Sequence, residues 1–204
     1  MERDFYLRIL NASPNSPDLD IYSDNKLLVS NLKYSEFSNY VKKNSGRYNF
    51  KVYKSTNKKN IILQDEVEFF SDNIYTVALM GNYDDEGFDF NLINDHLRQI
   101  DKNYSYIRFV NLTPSIRELD LVLNDKLVIS NLSYGTYSNY LKLTPASYNL
   151  KAYSEENNKV VLENPKVVLN AGKIYSGYIV GTYENTNNRL KILLPLEGAT
   201  YIKF

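Results

Sequence analysis

The chain has 204 residues, which suits one large domain or two small ones, and 43% of them are hydrophobic, as in a globular protein. Its 24 basic residues balance 24 acidic residues, so no net charge favours a nucleic acid or an anionic membrane surface as a partner. Cysteine is absent, which excludes disulfides, thiolate metal ligands and cysteine nucleophiles.

The first half of the chain is typical of short β-strands separated by turns. Residues 6–11 alternate in hydrophobicity and end at a Ser-Pro, and Asp24-Asn25 is typical of the two-residue turn that closes a hairpin. Residues 48–53 also alternate, which places every second side chain on the core face. The strands predicted in this half are residues 6–11, 19–23, 26–30, 48–53, 61–70, 74–82 and 88–93.

The second half repeats the first at an offset of 100 residues, which indicates a duplicated module. The segment YLRILNASPNSPDLDIYSDNKLLVSNLKYSEFSNYVK begins at Tyr6, and YIRFVNLTPSIRELDLVLNDKLVISNLSYGTYSNYLK begins at Tyr106. About seven strands in roughly 100 residues is the size of an immunoglobulin domain. We therefore predict an all-β protein of two tandem immunoglobulin-like antiparallel β-sandwich domains, residues 1–98 and 99–204, with helix expected only at residues 94–100.

Three motifs carry a family resemblance. The run LRILNASPNSPDLDIY from Leu7, YNFKVY from Tyr48 and IYTVA from Ile74 resemble the bacterial module catalogued as domain of unknown function 4397. The second copy departs from the pattern, with Arg117 where the first has its second proline, but retains Asp120. The resemblance implies repeated β-sandwiches found mostly on secreted or surface proteins. It implies no activity, since none is established for the family.

The densest acidic cluster follows the strand predicted at residues 74–82 and contains Asp84, Asp85 and Asp89. Several carboxylates beside a glycine turn are typical of a site for a hard cation such as calcium. The matching loop at residues 184–188 loses most of this charge, and charged turns usually face water. We interpret the cluster as a solvated loop and expect no bound metal and no cofactor.

Other candidates for catalysis are few. His96 is the only histidine and lies in the linker-like stretch, so neither a catalytic triad nor a multi-histidine metal site is expected. Asp18 and Asp20 recur as Glu118 and Asp120, and paired carboxylates serve acid–base chemistry in some enzymes. Solvent-facing acids beside a turn, or an aspartate bonded to the backbone after Ser13-Pro14, explain the pair equally well. We predict that the protein is not an enzyme.

Repeated aromatic residues are the main candidates for contact with a ligand or a partner. They follow the repeated Ser-Asn-Leu and surround the repeated Ser-Asn-Tyr, a composition that suits a sugar or a protein surface. The alternative is that they pack at the edge and core of the sandwich, with their hydroxyls bonded to the backbone. The six residues are Tyr34, Phe37, Tyr40, Tyr134, Tyr137 and Tyr140.

The last four residues, Tyr201, Ile202, Lys203 and Phe204, repeat the start of the second copy, YIRF from Tyr106. They predict a surplus C-terminal strand with three alternative positions. The strand folds back onto its own copy, takes the place of the first strand of copy one, or adds to an open sheet edge of a neighbouring chain. The third alternative would build filaments from the protein itself.

These observations predict a non-catalytic structural or interaction protein of a bacterial cell-envelope or spore surface. Its expected partner is a protein, and a second copy of the same chain is one candidate. The alternative is a module that binds a glycan or another small polar ligand through the repeated aromatics. No apolar run reaches the roughly 20 residues of a membrane span, so no membrane insertion is expected. The N-terminal sequence lacks the pattern of a secretory signal, so we expect either synthesis in the cytoplasm of a spore mother cell or a leader already removed.

Overall fold

The computed structural model describes residues 4–83, 87–95, 99–156, 158–183 and 188–202. It divides into two compact units, one within Met1–His96 and the other within Leu97–Ile202. Within these described residues each unit contains eight strands, one more than predicted. The strands of the first unit are β1 (Asp4–Asn11), β2 (Leu19–Ser23), β3 (Lys26–Leu32), β4 (Val41–Asn44), β5 (Gly46–Lys54), β6 (Leu63–Phe69), β7 (Ile74–Met80) and β8 (Asp89–Asn94).

The second unit repeats this order. Its strands are β9 (Ser105–Asn111), β10 (Glu118–Leu123), β11 (Lys126–Ser133), β12 (Leu141–Leu143), β13 (Ala146–Ser154), β14 (Lys159–Leu169), β15 (Ile174–Val180) and β16 (Lys191–Leu193). A short 3₁₀ helix, η1, follows at Gly198–Thr200. The helix considered at residues 94–100 falls partly on residues 96–98, outside the described residues, and Asn94 is the last residue of β8. No helix in the described parts of the chain is long and apolar enough to cross a membrane.

Each unit has two four-stranded sheets, in the orders β4-β1-β7-β8 and β3-β2-β5-β6 in the first unit. The second unit has the equivalent orders β12-β9-β15-β16 and β11-β10-β13-β14. The prediction of two all-β sandwich units is therefore confirmed. One detail was wrong: β1 and β7 pair in parallel, as do β9 and β15, so one sheet of each unit is mixed rather than antiparallel.

The core of the first unit lies between its two sheets. Alternate residues of β1 pack against alternate residues of β2 and β5 from the facing sheet, as the period of two along a strand requires. Phe5 stacks on Phe69 with ring centroids 4.6 Å apart, and Tyr75 meets Phe69 edge to face at 5.1 Å. The second unit buries the matching set between its own sheets.

The hairpin turns have the backbone that the sequence predicts. Asp24 and Asn25 have φ of 49° and 64°, and Asn124 and Asp125 have φ of 47° and 61°. Left-handed φ at both central residues is the signature of the type I′ turn, whose twist matches that of the flanking strands. The side chains of Asp24 and Asn124 also accept a hydrogen bond from the backbone N–H of the neighbouring strand, at 3.0 and 2.8 Å.

The offset between equivalent residues of the two units changes by two residues before the last strand. Ala78 pairs with Asn91 in the first unit, whereas Tyr178 pairs with Leu193 in the second. The second unit therefore has two extra residues between the last two strands, and the offset rises from 100 to 102. As a result, Glu197 is the structural counterpart of Asp95.

Candidate functional site

A buried arginine lies beneath the repeated aromatics of the second unit. Arg108 on β9 and Ser176 on β15 are neighbours in the parallel pair, and the Nε of Arg108 donates to the Oγ of Ser176 at 2.9 Å. The same Nε lies 2.9 Å from Oε1 of Glu197, and neither of the two charged side chains is exposed to solvent. A fully buried ion pair needs hydrogen bonds for its remaining polar atoms, because desolvation of the charges is costly.

Those hydrogen bonds come from the candidate aromatics and from β15. The hydroxyl of Tyr140 donates to Oε2 of Glu197 at 2.7 Å. The hydroxyl of Ser176 donates to Oε1 of the same carboxylate. The guanidinium carbon of Arg108 lies 5.0 Å from the ring centroids of both Tyr137 and Tyr140, within the range of cation–π contact. We call Arg108, Tyr137, Tyr140, Ser176 and Glu197 the second arginine cluster.

The first unit has the equivalent arrangement around Arg8, which is 4% exposed. The Nε of Arg8 donates to Oγ1 of Thr76 at 3.0 Å, and its guanidinium carbon lies 4.5 Å from the ring of Phe37 and 4.8 Å from that of Tyr40. The hydroxyl of Tyr40 donates to Oδ2 of Asp95 at 3.1 Å, and Asp95 is fully buried. We call these five residues the first arginine cluster.

The repeated Ser-Asn-Tyr motif fixes the aromatic segment to the first strand of each unit. The backbone N–H of Ile9 donates to Oγ of Ser38 at 2.8 Å, and the N–H of Ser38 donates back to the carbonyl of Ile9. Ser138 and Phe109 exchange the same two bonds in the second unit. The serine therefore holds the preceding and following rings at a set position over the arginine.

The remaining two candidates, Tyr34 and Tyr134, are half-buried and have hydroxyl oxygens without solvent exposure. Burial raises the pKa of Tyr34 to about 12. Neither hydroxyl is available to a ligand in solution. The structure thus gives internal contacts to Phe37, Tyr40, Tyr137 and Tyr140 and hides the polar ends of the other two, while their role in binding a ligand or partner stays a prediction.

Sequence reasoning missed the charged members of both clusters. A signal was present, because Arg8 and Arg108 each interrupt an otherwise apolar first strand at the same repeat position. Asp95 and Glu197 gave no such signal, since the two-residue shift hides their equivalence.

Asp20, one member of the acidic pair in the first unit, is held by contacts inside the fold. Asp20 is 3% exposed, so the interpretation of this residue as a solvent-facing acid was wrong. Its Oδ1 accepts from the N–H of Asn31 at 2.9 Å and from the hydroxyl of Ser55 at 2.6 Å, and its Oδ2 lies 2.9 Å from Nζ of Lys58. The bonded backbone is that of Asn31, not the segment after Ser13-Pro14. Asp120 accepts the same backbone bond, from Asn131 at 2.8 Å.

We expect Asp20 to make the stability of the first unit pH-dependent. Burial by itself raises its pKa, but bonds from Ser55, Asn31 and Lys58 more than offset this, so the pKa of folded Asp20 lies below its ordinary value of 3.8. A carboxyl with a depressed pKa stabilises the fold above the unfolded pKa, and this stabilisation is lost as the pH falls through the folded pKa. Asp20→Asn should therefore lower the stability of the first unit at pH 7 and flatten its decline below about pH 4.

Thermal unfolding of the wild type and Asp20→Asn between about pH 2 and pH 7, followed by circular dichroism, measures this effect. An unchanged pH profile in the variant would contradict the assignment. Asp18→Asn is the control on the same segment.

The acidic-loop and linker candidates mostly lie outside the described residues, namely Asp84, Asp85 and His96. Asp89 is described, and its Oδ1 accepts from the N–H of Phe90 at 2.7 Å. Within the described ranges, no group of three or more histidine or acidic residues is placed to hold a metal ion.

The predicted C-terminal strand is not formed at Tyr201 and Ile202, and Lys203 and Phe204 lie outside the described residues. The N–H groups of Tyr201 and Ile202 both donate to the carbonyl of Gly198, at 2.9 and 2.7 Å, which closes a turn. The side chain of Thr200 bonds to both the N–H and the carbonyl of Ile174. These bonds hold the segment against the start of β15, so the prediction of an extended strand was wrong for its described half.

A pocket of about 250 Å³ opens on the outer face of the sheet β3-β2-β5-β6 in the first unit. It lies away from the arginine cluster, which is on the other sheet. Its lining residues are Tyr22, Asn25, Lys51, Tyr53 and Lys58.

Comparison with known proteins gives one family. The family model described as "Domain of unknown function (DUF4397)" matches residues 5–122 and, in a second overlapping match, residues 105–198. A crystal structure of a candidate cell adhesion protein from Bacteroides ovatus ATCC 8483 is similar at 11% identity and a TM-score of 0.30, with 97% of each chain covered. A search of curated proteins found no match.

Proposed function

The chain belongs to the DUF4397 family, in two tandem copies, and we propose that it acts as a non-catalytic structural or interaction protein of a bacterial cell-envelope or spore surface. The observation that carries this proposal is the use of its reactive side chains for internal bonds. Glu197 binds Arg108 and Tyr140, Asp95 binds Tyr40, and Asp20 binds a backbone N–H and Ser55. Internal bonds of this kind give these carboxylates a structural role, and this supports a non-catalytic function.

The cellular part of the proposal is tested by fractionation. Antibodies raised against the purified chain would be used on surface extracts and cytosol of the producing bacterium, in growing cells and in purified spores. We expect the protein to be enriched in a surface fraction. Detection in the cytosol alone, at both stages, would overturn the assignment to a surface.

The partner that we propose is protein, including a second copy of the chain joined by addition of a strand to an open sheet edge. Each sheet ends in edge strands, such as β6 in the first unit, and an edge strand is the place where a strand of another chain can add. Light scattering of the full chain over a range of concentrations is expected to show multimers. A full chain that stays monomeric throughout would contradict self-assembly.

The alternative proposal, a glycan or small polar ligand bound through the repeated aromatics, has less support. In both units two of the three rings already contact the arginine. A sugar stacking on these rings would have to use their opposite faces.

A further inference from the structure

The pocket on the first unit combines two aromatic rings with two positive charges. Tyr22 and Tyr53 meet edge to face, with ring centroids 5.4 Å apart and an angle of 78° between planes, and so form a corner. Nζ of Lys58 lies 5.9 Å from the ring centroid of Tyr22. Lys51 is half-buried beside this corner, and Asn25 lies at its rim.

Of the two lysines that line this pocket, only one is paired with a carboxylate among the described residues. Lys58 pairs with Asp20, and hydrogen bonds with Asp20 and Tyr22 raise the pKa of Lys58, so it is positively charged at neutral pH. Lys51 donates to Oδ1 of Asn25 at 2.9 Å, which is a neutral amide oxygen rather than a carboxylate. The pocket therefore has an excess of one positive charge.

On the equivalent surface of the second unit, the lysine is neutralised by carboxylates. Lys151, the counterpart of Lys51, lies 3.1 Å from Oδ1 of Asp125, which replaces Asn25. Its cross-strand partner is Glu163, whereas that of Lys51 is Gln64. Two neutral side chains of the first unit are thus carboxylates in the second, which neutralise the lysine.

The aromatic corner is also specific to the first unit. Val122 stands in place of Tyr22, and Asn158 stands 100 positions after Lys58. The second unit has the same hairpin around the position of Tyr22, so the hairpin does not need the tyrosine. Around Lys58 the two units differ, because β14 begins at Lys159 whereas β6 begins only at Leu63. Lys58 has a structural partner in Asp20, but the fold of the hairpin does not explain why Tyr22 is present in one copy only.

We propose that this pocket binds an acidic sugar, namely one pyranose ring that bears a carboxylate, within an anionic polysaccharide. The volume of about 250 Å³ lies below the roughly 300–1,000 Å³ of sites for drug-sized ligands and suits one ring. The C–H face of the pyranose packs on Tyr22 and Tyr53, and its hydroxyls bond to Asn25 and the tyrosine hydroxyls. The carboxylate meets the ammonium of Lys51, because charge-assisted hydrogen bonds are the strongest polar contacts available there.

The choice of a sugar over an acidic peptide follows from the walls of the pocket. They consist of two tyrosines, two lysines and an asparagine, and no leucine, isoleucine, valine or methionine among the described residues lines the pocket. Sugars combine C–H faces with many hydroxyls and match such a surface, whereas a peptide anchor would need an apolar recess. This inference does not depend on the proposed surface location, because binding is measured on the purified chain.

The test is titration of the full chain, monitored by NMR, with three probes of equal length. These are a hexamer of galacturonic acid, the neutral maltohexaose and a hexamer of aspartate. We expect saturable shifts of the Asn25 and Lys51 amides with the galacturonate hexamer and binding at least about tenfold weaker for the other two. No shift at these residues, or equal binding of the aspartate hexamer or of maltohexaose, would overturn the proposal.

Both pocket variants introduce the residue that the second unit has at the same position of the equivalent hairpin. Tyr22→Val and Asn25→Asp should each raise the dissociation constant of the galacturonate hexamer about tenfold or more. Lys151→Gln, on the matching surface of the second unit, should leave it unchanged. Binding that survives both pocket variants, or that is lost in Lys151→Gln, would place the ligand elsewhere and overturn the assignment.

Discussion

Replacement of Glu197 by alanine is expected to lower the free energy of unfolding of the second unit by about 3–5 kcal/mol. The carboxylate lies 2.9 Å from Nε of Arg108, and neither side chain is exposed. Removal of one member of a buried ion pair leaves the other charge without compensation in a medium of low dielectric constant. The hydroxyl of Tyr140 loses its acceptor in the same step.

The measurement is unfolding in a urea series, monitored by hydrogen exchange with mass spectrometry. Peptides from each unit then report the unfolding of that unit separately. The transition of the second unit should move to lower urea and that of the first should stay in place. Glu197→Gln should lower the free energy of unfolding by less than Glu197→Ala does, because the glutamine amide oxygen still accepts a hydrogen bond from Arg108.

A matched control is available in the same unit. Asp125 pairs with Lys151 at 3.1 Å, but the Asp125 side chain is 84% exposed. Asp125→Asn introduces the residue of the first unit, and exposed pairs contribute about 1 kcal/mol or less. Equal losses for Glu197→Ala and Asp125→Asn would mean that the buried pair does not stabilise the unit.

Replacement of Phe69 by alanine is the second change with a large expected effect, a loss of about 3–5 kcal/mol from the first unit. Phe69 is 1% exposed and lies at the centre of the ring cluster of Phe5, Phe50 and Tyr75. Alanine removes the ring and leaves a cavity that rigid sheets on both sides close only in part.

The adjacent residue supplies the control, because Phe70 is 62% exposed. Phe70→Ala should change stability by no more than about 0.5 kcal/mol. Both variants are compared with the wild type in the same urea series. A small effect for Phe69→Ala, or an effect for Phe70→Ala of the same size, would contradict the assignment of the core.

The two arginine clusters suggest why the aromatic segments recur so closely. The first strand of each unit is buried along most of its length, and its arginine is buried with it. The rings and the Thr76 or Ser176 hydroxyl contact this charge in both units, and the carboxylate of Glu197 contacts it in the second. Packing around the arginine is therefore a sufficient reason for the repeated Ser-Asn-Tyr, and binding is not needed to explain it.

The short strand β4 is an element that its own sequence does not predict. Its sequence, VKKN, has two lysines and no strong β-formers besides valine, and it is only four residues long. It becomes a strand because it lies beside β1 and completes that edge of the sheet. Tertiary pairing, not intrinsic propensity, decides such segments.

The sequence by itself determined the duplication, the all-β class, the hairpin turns and most of the strand positions. These depend on residues close together in the chain, where alternation and turn residues report the backbone directly. Only the tertiary structure decided the parallel pairing of the first and seventh strands, the partners of Arg8 and Arg108, the burial of Asp20 and the turn at Tyr201. The bond from each arginine to β7 or β15 spans 68 residues, and no local pattern specifies a contact at that separation.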